Sequence, residues 1–198
     1  MFVQLLIQKE FEKRGMETPP NTKGRVIAVC RNPEPGLPKP IVKHIYLLKD
    51  LGVEGDYHAG TYVRHRYLAK KDPTRRNMRQ VLIVDVNAYR ELEQKNIVLE
   101  PGSMGENITV DGIAIMDLAE GTCLTIGDAI VEITEVRKPC VQLNGINPKL
   151  LKAVTALENG KRVYKAGIMT RVLQAGWVKA GDRIAVVVPD MIQQAMLF

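Results

Sequence analysis

Thr122–Cys140 reads TCLTIGDAIVEITEVRKPC, and this stretch decides the fold. Two short apolar runs, Thr122–Ile126 and Ala129–Val136, flank a Gly127-Asp128 pair and predict a β-hairpin. Pro139 cannot donate to a strand ladder, so it ends the second strand. Cys140 is thereby left in irregular backbone, just past a strand end and beside Arg137 and Lys138.

The same strand grammar extends in both directions. Gly24–Cys30, Ile41–Leu48, Gln80–Asp85, Ile108–Val110, Gly167–Leu173 and Asp182–Val188 each read as a short strand. Helical patterns are fewer. Residues 1–22 predict a short amphipathic extension ending at Pro19-Pro20, and Val86–Lys95 a second helix. A third begins at Asn147-Pro148 and stops at Gly160. About eight short strands against one long internal helix argue for a mainly β, barrel-like fold rather than βαβ winding. Two glycine-rich loops, Gly52–Gly60 (GVEGDYHAG) and Pro101–Asn107 (PGSMGEN), interrupt the strands. The expected organisation is an N-terminal helical extension over 1–22 and one domain over 23–198.

Composition narrows the class. The chain has 198 residues, 45% hydrophobic and 25% charged, enough for one substantial core. No apolar run approaches the roughly 20 residues needed to span a bilayer. Cysteines at 30, 123 and 140 form no paired framework, which fits a reducing cytoplasmic setting. The net charge of +6 is concentrated: Arg64, Arg66, Lys70, Lys71, Arg75, Arg76 and Arg79 face one anion, Asp72. Removing these from 28 cations and 22 anions leaves 21 of each. Such a field suits an anionic partner, and equally reads as a solvated loop. Nucleic acid is disfavoured, because only Tyr62 and Tyr67 offer stacking surface nearby.

Cys140 is the strongest candidate for chemistry. Cations within three residues favour the thiolate, the form that attacks electrophiles and binds metals. Cys30 lies in an apolar strand and Cys123 alternates with strand residues, so both read as core or wall positions. Asp56, His58 and His65 could be hard-metal ligands, but the spacing lacks the HExxH arrangement, and satisfied loop histidines explain them as well. His44 sits among strand residues and reads as structural. Glu106-Asn107 braces a turn or faces a site.

Taken in order, GVEGDYHAG at 52–60, HR at 65–66, RQVLIVD at 79–85, PGSMGENIT at 101–109, the RKPC that ends at Cys140, and KAGIMTRVLQAGWVKAGD at 165–182 resemble the MOSC family. That family is named for the C-terminal domain of molybdenum cofactor sulfurases. The resemblance covers roughly Gly24 to Val188 and implies a MOSC-type antiparallel β-barrel with a few peripheral helices. It places the family's defining cysteine on Cys140, as ligand to a molybdenum cofactor (molybdopterin) or as a persulfide sulfur carrier. Arg137, Lys138 and Lys165 would then contact the pterin phosphate. His58, His65, Glu106 and Asn107 would fall on loops around the same mouth. The implied activity is reduction of small N-hydroxylated substrates by a molybdenum-dependent oxidoreductase, fed by a separate electron-donor reductase. The alternatives are sulfur transfer from a desulfurase and a non-catalytic cofactor-binding module. No desulfurase domain and no ferredoxin-type cysteine cluster is present in these residues.

Overall fold

The computed structural model describes residues 23–187. The expected helix over 1–22 and the apolar tail after Val187 therefore lie outside the described residues.

The hairpin forms as the sequence requires. β7 (Cys123–Ile126) pairs antiparallel with β8 (Ala129–Val136), with Ile126 opposite Ala129 across the two-residue turn. Gly127 takes φ +55°, and a Cβ there would stand 2.5 Å from the Trp177 carbonyl oxygen. Only glycine fits this corner.

Around the hairpin the chain adds β1 (Lys23–Cys30), β5 (Val81–Asp85), β6 (Ile108–Asp111), β11 (Ile168–Gln174) and β13 (Arg183–Val187). They run in the order β13-β7-β8-β11-β5-β6-β1, and β1 pairs again with β13, closing a seven-stranded barrel. Short β2 (Ile41–Val42) flanks β1, while β3 (His44–Leu48), β4 (Gly52–Val53) and β12 (Gly176–Lys179) form a three-stranded sheet. The lumen is filled by side chains, including Val26, Ile83, Ile108, Leu124, Val131, Ile168 and Ile184, as small barrels require.

The barrel is not wholly antiparallel. β5 and β6 are parallel, and a parallel pair needs a long crossover. α1 (Arg66–Lys71) precedes β5; α2 (Val86–Glu93) follows it directly and begins that crossover, with Asp85 capping it by accepting from the Asn87 N–H at 2.7 Å. One βαβ unit thus sits inside a β-barrel. All five β5 residues are buried, as expected for a strand covered on both faces. Ile83 points into the lumen, whereas Leu82 and Val84 point outward into a second apolar cluster with Leu92, Met104, Leu143 and Met169.

The expected helix over 147–160 is a correction. Only α3 (Leu150–Ala153) is helical there, followed by the hairpin β9 (Thr155–Glu158) and β10 (Lys161–Tyr164). Asn159 and Gly160 both take positive φ, 50° and 74°. Asn-Gly is a strong two-residue hairpin signal, and it overrides the apolar spacing on either side.

Candidate functional site

The site lies against the outer face of the β5–β11 wall, where Leu82 and Met169 form an apolar floor. Four chain segments bring polar groups to it.

The first is the end of β8. The Arg137 N–H still donates to the Gly167 carbonyl at 2.9 Å, and then Pro139 ends the ladder. Cys140 follows, and its carbonyl accepts from the Leu143 N–H at 3.1 Å in a 3-10 turn over Val141–Gly145. The Cys140 thiol is half-buried, faces the cleft and donates to Gln142 Oε1 at 3.5 Å. Lys138 is exposed at the rim. Arg137 turns inward and is buried; its Nη2 donates to the Met104 carbonyl at 2.9 Å, while Nη1 has no partner among the described residues.

The second segment is the 52–60 loop. Asp56 is buried and accepts from the backbone N–H groups of His58 (2.9 Å) and Asn32 (3.2 Å) and from Asn107 Nδ2 (3.0 Å). Its Oδ2 also lies 2.8 Å from the buried Lys39 ammonium. Burial by itself would raise the Asp56 pKa, but the hydrogen bonds from His58 and the charge of Lys39 outweigh it and hold the carboxyl below the usual range. Lys39 is lowered by burial, against the pull of Asp56. Asp56 thus holds His58 at the cleft through Oδ1, 3.6 Å from its Nδ1, while Oδ2 is spent on Lys39, Asn32 and Asn107. Among the described residues no three His, Cys, Asp or Glu side chains are arranged to hold a bare metal ion.

The third segment is PGSMGEN. Glu106 is fully buried and accepts from the N–H groups of Gly102 (2.6 Å) and Met104 (3.1 Å), from Thr109 Oγ1 (3.2 Å) and from the Tyr89 hydroxyl. It clamps the loop from behind, and its charge acts on Arg137 and Lys39. Asn107 reaches the cleft and also bonds the Cys30 carbonyl at 3.1 Å. Gly102 (φ +88°) lies so close to the Lys39 carbonyl that no Cβ would fit.

The fourth segment is the basic stretch. Arg64, His65, Asn77 and Arg79 line the cleft beside Cys140. Arg79 is anchored by Glu135 at 2.7 Å, and Arg64 Nη1 donates to the Tyr57 carbonyl at 3.1 Å. The His65 Nδ1 is buried without a partner among the described residues. Burial, then the charges of Arg79, His58 and Arg137, hold His65 below its ordinary pKa, so its ring is neutral at pH 7.

Of the residues expected from sequence, Cys140, Arg137, Lys138, His58, His65 and Asn107 meet at one cleft. Glu106 stands behind the loop instead. Lys165 is paired with Glu91 at 3.3 Å and does not line the cleft. Sequence reasoning missed Lys39 and Gln142. Lys39 lies in a proline-rich turn where no periodicity marks it; Gln142 follows Cys140 by two, a spacing that only the 3-10 turn makes meaningful.

The three thiols differ in a testable way. Burial, with Glu106, pushes the Cys30 thiol up to about 12 despite Lys39, and Cys123 is buried too. Iodoacetamide on the native protein near pH 8 should therefore alkylate Cys140 alone. Peptide mass mapping checks this; labelling of Cys30 at a comparable rate contradicts it.

A barrel wall carrying this cleft at the end of an RKPC strand defines the class. The MOSC domain family profile matches residues 55–185, and the chain belongs to that family, whose domains are associated with binding the molybdenum cofactor. Among solved structures, the YuaD protein from Bacillus subtilis shares the fold at a TM-score of 0.68 and 21% identity, covering 84% of this chain and 96% of that one. YiiM from Escherichia coli aligns at 0.56 with 22% identity (84% and 70% covered). YiiM from Geobacillus stearothermophilus aligns at 0.55 with 20% identity (83% and 73% covered). No curated protein matches the sequence.

Proposed function

We propose that this protein holds a molybdenum cofactor in the cleft, with the Cys140 thiolate as a ligand of the metal. We further propose that it reduces small N-hydroxylated compounds with electrons from a separate donor protein. The observation that supports this best is the meeting, in one cleft, of a thiol on irregular backbone with two buried nitrogens that have no partner among the described residues, Arg137 Nη1 and His65 Nδ1. Leaving such groups unsatisfied costs about 1–3 kcal/mol each, more when charged. A ligand with anionic oxygens repays that cost.

The chemistry of the donor set fits the cofactor. A thiolate is a soft ligand suited to molybdenum. Arg137 Nη1 is a charge-assisted donor for a phosphate oxygen, and Arg64, Arg79 and Lys138 reinforce the field. Neutral His65 and Asn107 suit the polar edge of a pterin. When bound, the cofactor supplies two-electron removal of oxygen. Reduction of an N-hydroxyl consumes two electrons and two protons and releases the amine and one water. His58, steered by Asp56, is positioned to deliver one of those protons.

Metal and pterin analysis of protein purified from a cofactor-producing host tests the reading, with about one molybdenum per chain expected. Absence of both metal and pterin refutes it. A second test needs no metal. For cofactor-free protein, inorganic phosphate at about 100 times its Kd should add ~2.7 kcal/mol of stability. At roughly 2–4 °C per kcal/mol for a chain of this size, the melting temperature rises by about 5–11 °C. Arg137→Met should lose most of that rise. An equal rise in wild type and variant would remove Arg137 from the anion site.

A further inference from the structure

The basic stretch has two sides. Its inner side, Arg64, His65, Asn77 and Arg79, is already part of the cleft. Its outer side carries Lys70, Lys71, Arg75 and Arg76, all exposed. Among the described residues none of these four has a carboxylate within salt-bridge distance. Asp72, the one acid in the stretch, is turned onto Thr74 instead, accepting from its N–H at 3.0 Å and its hydroxyl at 2.8 Å.

Apolar surface is interleaved with these cations. Tyr62, Tyr67 and Met78 are exposed by 52%, 70% and 42%. A bridge between Tyr62 and Arg76 pins the two arms of the segment together, and the Val63 N–H donates to the Arg75 carbonyl at 2.9 Å. Tyrosine, methionine and arginine are the residues enriched at protein interfaces. Unpaired cations around them steer an oppositely charged partner and set its orientation.

We propose that this outer face is the docking surface for an acidic electron-carrier protein, seated beside the mouth of the Cys140 cleft. The proposal rests on the reductive reading above, because that chemistry needs two electrons per N-hydroxyl reduced, which a separate carrier protein supplies. The carrier is oxidised as those electrons pass; one of the two protons is relayed by His58, which is reprotonated from solvent, and the other comes from solvent directly. Charge complementarity selects the partner: the 64–79 stretch, of which this face is the outer side, carries seven cations against Asp72, whereas the remaining sequence is balanced at 21 cations and 21 anions.

The experiment measures association of the full-length protein with an acidic flavodoxin and an acidic [2Fe–2S] ferredoxin, by surface plasmon resonance at rising salt. At least one should bind, with an association rate that falls steeply as salt rises. Charge reversal at Lys70, Lys71, Arg75 and Arg76 to Glu should lower that rate at low salt by roughly tenfold or more. Tyr67→Ala should instead speed dissociation. Unchanged melting temperature and phosphate binding would show that the variants fold. Failure of both carriers to bind, equal binding by the charge-reversed variant, or tighter binding of duplex DNA or RNA would each overturn the proposal. Metal-free protein is measured in parallel with molybdenum-loaded protein. Binding without any molybdenum uptake would sink the reductive reading while leaving the docking surface standing.

Discussion

Cys140→Ser protein from a cofactor-producing host should retain at least about tenfold less molybdenum than wild type, and turn over no N-hydroxylated substrate. Even partners that only orient a metal's ligands change affinity by 10–100-fold when removed, and here the ligand itself is lost. A serine hydroxyl is a hard, protonated donor at neutral pH and a poor substitute for a soft thiolate. The fold should be unaffected, because the thiol is half-buried and its recorded hydrogen bond is one long contact to Gln142. Circular dichroism and melting temperature check that point. Phosphate-induced stabilisation of cofactor-free Cys140→Ser should match wild type, since Arg137 and His65 remain. Full molybdenum in the variant would disprove ligation by Cys140. If wild type instead carries no molybdenum but releases thiocyanate when cyanide is added, Cys140 holds sulfane sulfur as a persulfide. The sulfur-carrier role would then replace the reductive one.

The second large effect belongs to the buried pair beneath the cleft. Asp56→Asn removes the recorded counterion of Lys39, which is only 4% exposed, with its ammonium 2.8 Å from the carboxylate. Breaking a buried pair by removing one partner strands a charge and costs about 3–5 kcal/mol, or roughly 6–20 °C in melting temperature for a chain of this size. The Asp56→Asn/Lys39→Met double variant should recover the share due to the stranded ammonium, because apolar replacement of a buried pair is often neutral. It should not recover the share due to the N–H groups of Asn32 and His58 and the Asn107 amide, which converge on the carboxylate. A double variant no more stable than Asp56→Asn would show that the ammonium was not the cause.

The same carboxylate fixes the response to acid. Its folded pKa lies below the unfolded value of about 3.9. The stability it contributes is therefore fully present above that pH and is lost as pH falls toward the folded value. Acid titration of wild type should show this loss below about pH 4, and Asp56→Asn should lack that component.

Much of the architecture was legible because local chemistry and global fold agreed. Gly127-Asp128 set the hairpin, Pro139 ended it, and the apolar run 129–136 formed part of the barrel wall. The family resemblance named eight residues, of which six line one cleft. The rest depended on relations that are not local. The β5–β6 crossover is parallel, and a continuous apolar run does not distinguish a parallel strand from an antiparallel one. Asn159-Gly160 was legible as a hairpin turn, but the capping signal at Asn147-Pro148 pointed to a helix. Glu106 and Lys39 lie far apart in sequence, and only the close approach of Gly102 to the Lys39 carbonyl brings them behind the same cleft. Lys165 belonged to a matching motif, yet its ammonium reaches Glu91 instead of the mouth.

Barrel closure has a temporal consequence. The seam that shuts the ring joins Lys23 to Ala185 and Arg25 to Arg183, so the two partners are separated by nearly the whole described chain. Pairings of such separation form late, because loop-closure entropy must be overcome before the contact returns anything. During synthesis on a ribosome β1 emerges first and waits, exposed on one edge, until β13 appears. Every cleft residue, from Leu37 to Met169, has left the ribosome before that seam can form. Nascent chains are therefore expected to carry the thiol without the finished cleft, and capture of an anionic ligand becomes an event of the completed molecule. Stalled chains truncated before Arg183 should show no phosphate protection of Cys140 against alkylation.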